Sequence, residues 1–151
     1  MLRQSLVGQT NYQDVFDVGV SDEEKRFIDT PAEFIVIATY GPDKCEPFIL
    51  YDEDNHPVGF AALRVPTLPG SPVGLSRFLI STEWQRRGFG RRHLALLLEY
   101  AAHRWPESKR IVLSVHVDAV AAQKLYANAG FRVKPTPPGD HVCMRRNLRD
   151  S

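Results

Sequence analysis

The segment Gln85-Arg86-Arg87-Gly88-Phe89-Gly90-Arg91-Arg92 offers the most specific chemistry in the chain. Its two glycines let the backbone turn sharply and approach a ligand without a Cβ in the way. A helix starting there leaves unpaired N–H groups at the positive end of the helix dipole, a setting suited to phosphate. Four arginines add charge-assisted donors for a multiply phosphorylated ligand. The segment is not a P-loop, which closes on Gly-Lys-Ser/Thr. Nor is it a dinucleotide fingerprint, because the third glycine position is missing and no acid follows at the right distance. Without an aromatic stacking platform it is a poor nucleic-acid patch. A glycine turn with solvated arginines is the bland alternative.

Other reactive side chains are scattered. His56, His93, His103, His116 and His141 show neither HxxxH nor HExxH spacing, and Cys45 and Cys143 lack the CxxC pattern. No metal site is expected, and both cysteines read as reduced packing residues. The turn Asp52-Glu53-Asp54-Asn55-His56-Pro57 lacks the glycine and distal glutamate of an EF-hand and reads as solvated.

Nineteen Lys and Arg against 18 Asp and Glu leave a net charge of +1 in 151 residues, which excludes a nucleic-acid coat protein or polybasic membrane binder. The balance is uneven along the chain. Residues 1–73 carry 5 basic and 12 acidic side chains, and residues 74–151 carry 14 basic and 6 acidic. One half could thus face an anionic ligand and the other a cationic one. The N-terminus has no signal-peptide core, and the run Phe34–Ala38 falls far short of the ~20 residues that span a bilayer. A single cytoplasmic domain over residues 1–151 is the expectation.

The glycine turn needs a strand before it and a helix after it. Ser76–Ile80 has strand character, and Leu94, Leu97, Leu98 and Ala101 recur at helical spacing from about Gly88 to Arg104, stopping at Trp105-Pro106. Arg110–Val117 alternates, with Ile111, Leu113, Val115 and Val117 on one face. An alanine-rich helix over Val120–Ala129 stops at Gly130, and Phe131–Val133 and Val142–Met144 read as short strands. Phe48–Tyr51 and Val58–Leu63 form a hairpin around the acidic turn. The N-terminal third reads as helical, with capping boxes at Ser21–Glu24 and Thr30–Glu33. In the second, Phe34–Ile37 has competing strand propensity, but Gly41-Pro42 supplies a helix end. Interleaved strands and helices with a hairpin make a mixed α/β sandwich, not a doubly wound fold.

Gln85-Arg86-Arg87-Gly88-Phe89-Gly90 resembles the Q/R-x-x-G-x-G/A acetyl-CoA loop of the GNAT superfamily of N-acetyltransferases. Ala122-Gln123-Lys124-Leu125-Tyr126-Ala127-Asn128-Ala129-Gly130-Phe131 resembles that family's A-x-x-L-Y-x-x-x-G-F signature. The resemblance covers residues 46–147, and the N-terminal helices are more loosely similar to the diamine and polyamine (spermine/spermidine) acetyltransferase branch. It implies an α/β (α+β) acyl-CoA N-acyltransferase fold. In that fold a bent, mostly antiparallel sheet is flanked by helices, and the strand before the glycine turn splays from the strand after the long helix. Acetyl-CoA, a cosubstrate used without metal, would lie in that gap. Backbone groups of Phe78, Leu79 and Ile80 would pair with its pantetheine amides. Gln85 and the backbone N–H groups of Arg86, Arg87, Gly88, Phe89, Gly90 and Arg91 would hold its pyrophosphate.

The same resemblance makes Tyr126 the general acid that protonates the departing CoA thiolate; its alternative is a core tyrosine. The family's asparagine seven residues earlier is Ala119 here, with Asp118 beside it to cap the helix. The acceptor amine must lose a proton before attack. His116 and Glu83 are candidate bases, against the alternatives of a packed histidine, a solvated turn acid and a water relay. Asp14, Asp17, Asp22, Glu23, Glu24, Asp29 and Glu33 would rim a site for a cationic acceptor such as a polyamine, unless they serve only as helix-start acids on a solvated face. Two other readings stay open: a catalytically silent acyl-CoA-binding sensor or interaction module, and an enzyme acting on an amino acid, antibiotic or protein amine. No nucleic-acid or membrane partner is expected, and a homodimer is left open.

Overall fold

The computed structural model describes residues 2–19 and 30–149. Seven strands form one sheet in the order β1-β2-β3-β4-β5-β7-β6. They are β1 Arg3–Leu6, β2 Cys45–Tyr51, β3 Pro57–Arg64, β4 Val73–Ile80, β5 Arg110–His116, β6 Arg132–Val133 and β7 His141–Asn147. Every pairing is antiparallel except β4 with β5. That parallel contact is confined to Val73 opposite Ile111 and Gly74 opposite Val112. Beyond Gly74 the two strands diverge, so the sheet is split along part of its middle.

Helices α2 (Phe89–Arg104) and α3 (Val120–Asn128) cover one face. Leu94, Leu97, Leu98 and Ala101 of α2 join Leu50, Ala61, Leu63, Ile111 and Leu113 in the larger core. Burying such side chains stabilises by roughly 1.5–3 kcal/mol each. Helix α1 (Pro31–Tyr40) lies on the other face, where Phe34 packs edge-on against Phe60 at 6.0 Å. Its start is a capping box: Thr30 Oγ1 accepts from the Glu33 N–H at 3.3 Å and donates to Glu33 Oε1 at 2.9 Å. The box at Ser21–Glu24 lies outside the described residues.

Two expectations are corrected. The N-terminal third is not helical throughout: Arg3–Leu6 adds an antiparallel edge strand to β2, and Tyr12–Asp17 winds as a 3-10 helix. The strand is locked from below by His93 of α2, whose Nε2 donates to the Tyr51 carbonyl at 2.9 Å while Gln4 Nε2 donates to its Nδ1 at 3.2 Å. The acidic turn is not simply solvated. Asp52 is buried, and its carboxylate accepts from the Asp54 and His56 N–H groups at 2.9 and 2.8 Å and pairs with His56 Nδ1 at 2.9 Å.

Candidate active site

A cleft of about 1030 Å³ opens where β4 and β5 part. Side chains alternate across a strand, so the register assigns its walls to the two faces of the sheet. Phe78, Leu113, Val115, Ala122 and Tyr126 line it on the side of α2 and α3, whereas Arg64, Gly74, Val112, Ser114, His141 and Cys143 line it on the opposite side. The cleft therefore runs through the sheet.

Tyr126 projects from α3 into this space and is only 7% exposed. Its ring meets Phe131 edge-on at 5.7 Å. Burial pushes its phenol well above the ordinary tyrosine range, so the group keeps its proton across neutral pH. No described residue hydrogen-bonds its hydroxyl, which leaves that hydrogen available within the cleft.

Peptide directions alternate along β4. The Ser81 N–H reaches the Val58 carbonyl on β3 at 2.8 Å, and the Leu79 carbonyl also turns to β3, close over Gly59. The peptide groups of Phe78 and Ile80 consequently face the gap, and the Ile80 carbonyl accepts from Gln85 Nε2 at 2.9 Å. Of the three residues assigned there from sequence, Leu79 offers the cleft its side-chain region and not its peptide hydrogen bonds.

At the end of the gap, the chain turns through a left-handed Arg86 (φ 64°) and Gly88 (φ 84°) into α2. The first N–H in this helix to find a carbonyl is that of Arg92, bonded to Gly88 at 3.2 Å. The N–H groups of Phe89, Gly90 and Arg91 therefore point out of the helix end. The four arginines are not equivalent. Arg87 stacks over Trp84 at 4.9 Å and Arg92 pairs with Glu53 at 3.4 Å, while Arg86 and Arg91 have no ion pair among the described residues. Open strand amides in line with a cationic turn fit a ligand that is amide-bearing along its length and polyanionic at one end.

The two candidate bases are not brought together with Tyr126 in the same way. His116 lines the cleft, but its Nδ1 accepts from the Asp118 N–H at 3.0 Å. Its lone pair is thus engaged, and the neutral ring carries its proton on Nε2. Glu83 sits exposed on the 3-10 turn Thr82–Trp84 and does not itself line the cleft, although Thr82 before it and Gln85 after it do. Asp118 does not cap α3. No side chain caps that helix start, and Asp118 instead lies 3.9 Å from His116 Nδ1.

Asp52, Asp54 and His56 are close enough to share one cation, but both Asp52 oxygens already hold the turn together. They make a structural knot. The acids expected to rim an acceptor site are described only in part. Asp14 accepts from the Tyr51 hydroxyl at 2.7 Å, Glu33 belongs to the α1 cap, Asp17 ends the 3-10 helix, and the other four lie outside the described residues. Sequence reasoning missed Arg64, Ser114, Lys134, His141 and Cys143 as cleft residues, since only the strand register carries them there.

A family model described as Acetyltransferase (GNAT) family matches residues 12–131. The sequence has no significant match among curated proteins. Solved structures share the fold. The spermidine N-acetyltransferase from Vibrio cholerae, crystallised with CoA and spermine, aligns with a TM-score of 0.73 at 16% identity, over 97% of this chain and 95% of its own. The ribosomal-protein-S18-alanine N-acetyltransferase from Escherichia coli gives 0.71 at 21% identity, over 100% and 96%. An N-acetyltransferase from Thermoplasma acidophilum in complex with coenzyme A gives 0.69 at 16% identity, over 97% and 99%.

Proposed function

The chain belongs to the acetyltransferase (GNAT) family, and from that premise we propose that it transfers the acetyl group of acetyl-CoA to a primary amine by direct attack. The observation that carries the reading is Tyr126, a buried and protonated phenol facing the cleft where β4 and β5 part. Acetyl-CoA supplies a thioester carbonyl, at which a C–N bond forms as the C–S bond breaks. The peptide edges of Phe78 and Ile80 run along the pantetheine arm, and the N–H groups of residues 86–91 meet the pyrophosphate. Tyr126 donates its proton to the departing sulfur, and the proton lost by the amine restores the phenol through solvent. With His116 Nδ1 engaged and the Glu83 side chain exposed outside the cleft lining, a water relay is the route that the geometry favours for that proton.

The polyamine expectation rests on the acid-rich N-terminal segment and on neighbours such as the Vibrio cholerae spermidine enzyme. The described acids give it no support, because Asp14 and Glu33 are held by internal hydrogen bonds.

The test is release of free CoA thiol from acetyl-CoA against spermidine, aminoglycosides, amino acids and peptides, paired with thermal shift by CoA. Turnover with any amine above hydrolysis is the expected result. Stabilisation by CoA without turnover on the whole panel would replace the enzyme with a silent acyl-CoA-binding module.

A further inference from the structure

We propose that the acceptor amine carries carboxylate groups, and that Arg64 and Lys134 recognise them on the face of the sheet opposite α2 and α3. The inference rests on the acetyltransferase reading and names the substrate class for that same cleft.

Cross-strand register sets one transverse row across five strands: Arg64 on β3, Gly74 on β4, Val112 on β5, Arg145 on β7 and Arg132 on β6. Paired residues in a sheet share a face, so the three arginines of this row point to the same side. Lys134 follows at the end of β6, where its N–H bonds the Cys143 carbonyl at 3.0 Å. Arg64 and Lys134 both line the cleft.

Each of these four cations lacks an ion pair and a side-chain hydrogen bond among the described residues. Arg132 directly opposite Arg145 is a repulsive pair that a sheet does not gain from by itself. Two acids beside the cleft are already placed: Asp140 holds His141 Nδ1 at 2.8 Å, and Asp118 lies by His116.

Gly74 gives the second, independent sign of a built site. A Cβ at that position would lie 2.7 Å from Arg64 Cζ and 2.9 Å from Arg64 Cβ. Only glycine lets the Arg64 stem lie flat across β4 with its guanidinium at the apex where the strands part. Strand spacing of about 4.8 Å puts Arg64 and Arg145 roughly 14 Å apart along the row. An acceptor with one carboxylate meets the cleft-lining pair, and an extended acidic peptide reaches the outer arginines as well. The shared chemistry is an amine with anionic neighbours. A polycation would meet four like charges.

The test compares glutamate with glutamine, and a free-amino-terminus peptide bearing two early Glu residues with its Gln counterpart, against spermidine, by thiol release from acetyl-CoA. The acidic member of a pair is expected to have the higher kcat/KM, by about tenfold or more. Arg64→Gln and Lys134→Gln should each raise its KM several-fold while the KM for acetyl-CoA stays within about twofold. Lys134→Gln covers the case in which Arg64→Gln disturbs the Gly74 packing. Preference for the free amino acid or for the peptide identifies the source, and either supports the proposal. Equal rates within each pair, spermidine as the best acceptor, or variants that leave the preference intact would overturn it while leaving the acetyltransferase reading in place. If no amine is acetylated, that reading falls. Calorimetry with CoA present then decides the charge preference, and failure of the acidic peptide to bind better than its Gln counterpart overturns the proposal.

Discussion

Tyr126 owes its protonation to its surroundings. Burial raises the cost of phenolate, and no described group offsets it, so the side chain is an acid that does not act as a base at neutral pH. Tyr126→Phe keeps the ring that packs on Phe131 and removes only the donor. Turnover should fall about 100-fold, the scale of general acid catalysis, with CoA affinity unchanged by calorimetry. The wild-type kcat should show no descending limb near pH 10, where an ordinary tyrosine titrates. An unchanged rate in the variant would remove the acid role. Position 126 was legible in the sequence through its motif, whereas the engagement of His116 was not. The bond from the Asp118 N–H to that ring depends on a turn conformation that residue types do not encode.

Most elements were legible because their signals are local. The Thr30–Glu33 cap, the hairpin around Asp52 and the alternation of β5 each follow from spacing within a few residues. Strand β1 was hidden because Arg3-Gln4-Ser5-Leu6 has no alternating apolar face, and it exists only through pairing with β2 and the long-range bonds of His93. That histidine makes the attachment sensitive to acid. Burial lowers its pKa, partly countered by its bond to the Tyr51 carbonyl, so below the unfolded value of about 6.5 the unfolded chain binds a proton that the folded chain resists. Its contribution is complete above that pH and shrinks as pH falls towards the folded value. Urea denaturation at pH 7.5, 6.5 and 5.5 should show a steeper loss in the wild type than in His93→Gln. Parallel losses would mean that the ring is not the responsible group.

Across the whole molecule the net charge of +1 conceals two basic surfaces, not one. Among the cations of residues 74–151, Arg86 and Arg91 stand at the glycine turn, whereas Arg132, Lys134 and Arg145 stand on the opposite face. Arg64, from the acidic half of the chain, joins the second group. Linear charge counting matched the whole basic half to one anionic ligand and left Arg64 in the half facing a cationic one, because a sequence does not say which face of a sheet a residue occupies. The divergence of β4 from β5 has a mechanical meaning as well. Strands β1–β4 and strands β5–β7 are joined within the sheet by two residue pairs, so the molecule is two half-sheets on a short hinge. A pantetheine arm in the gap would serve as the missing strand. Hydrogen–deuterium exchange should then register acetyl-CoA as a splint: amides of Phe78 and Ile80 exchange fast alone and slow markedly with the ligand, while that of Ser81, already bonded to β3, changes little. Uniform slowing across all three amides would show general tightening in place of a bridged seam.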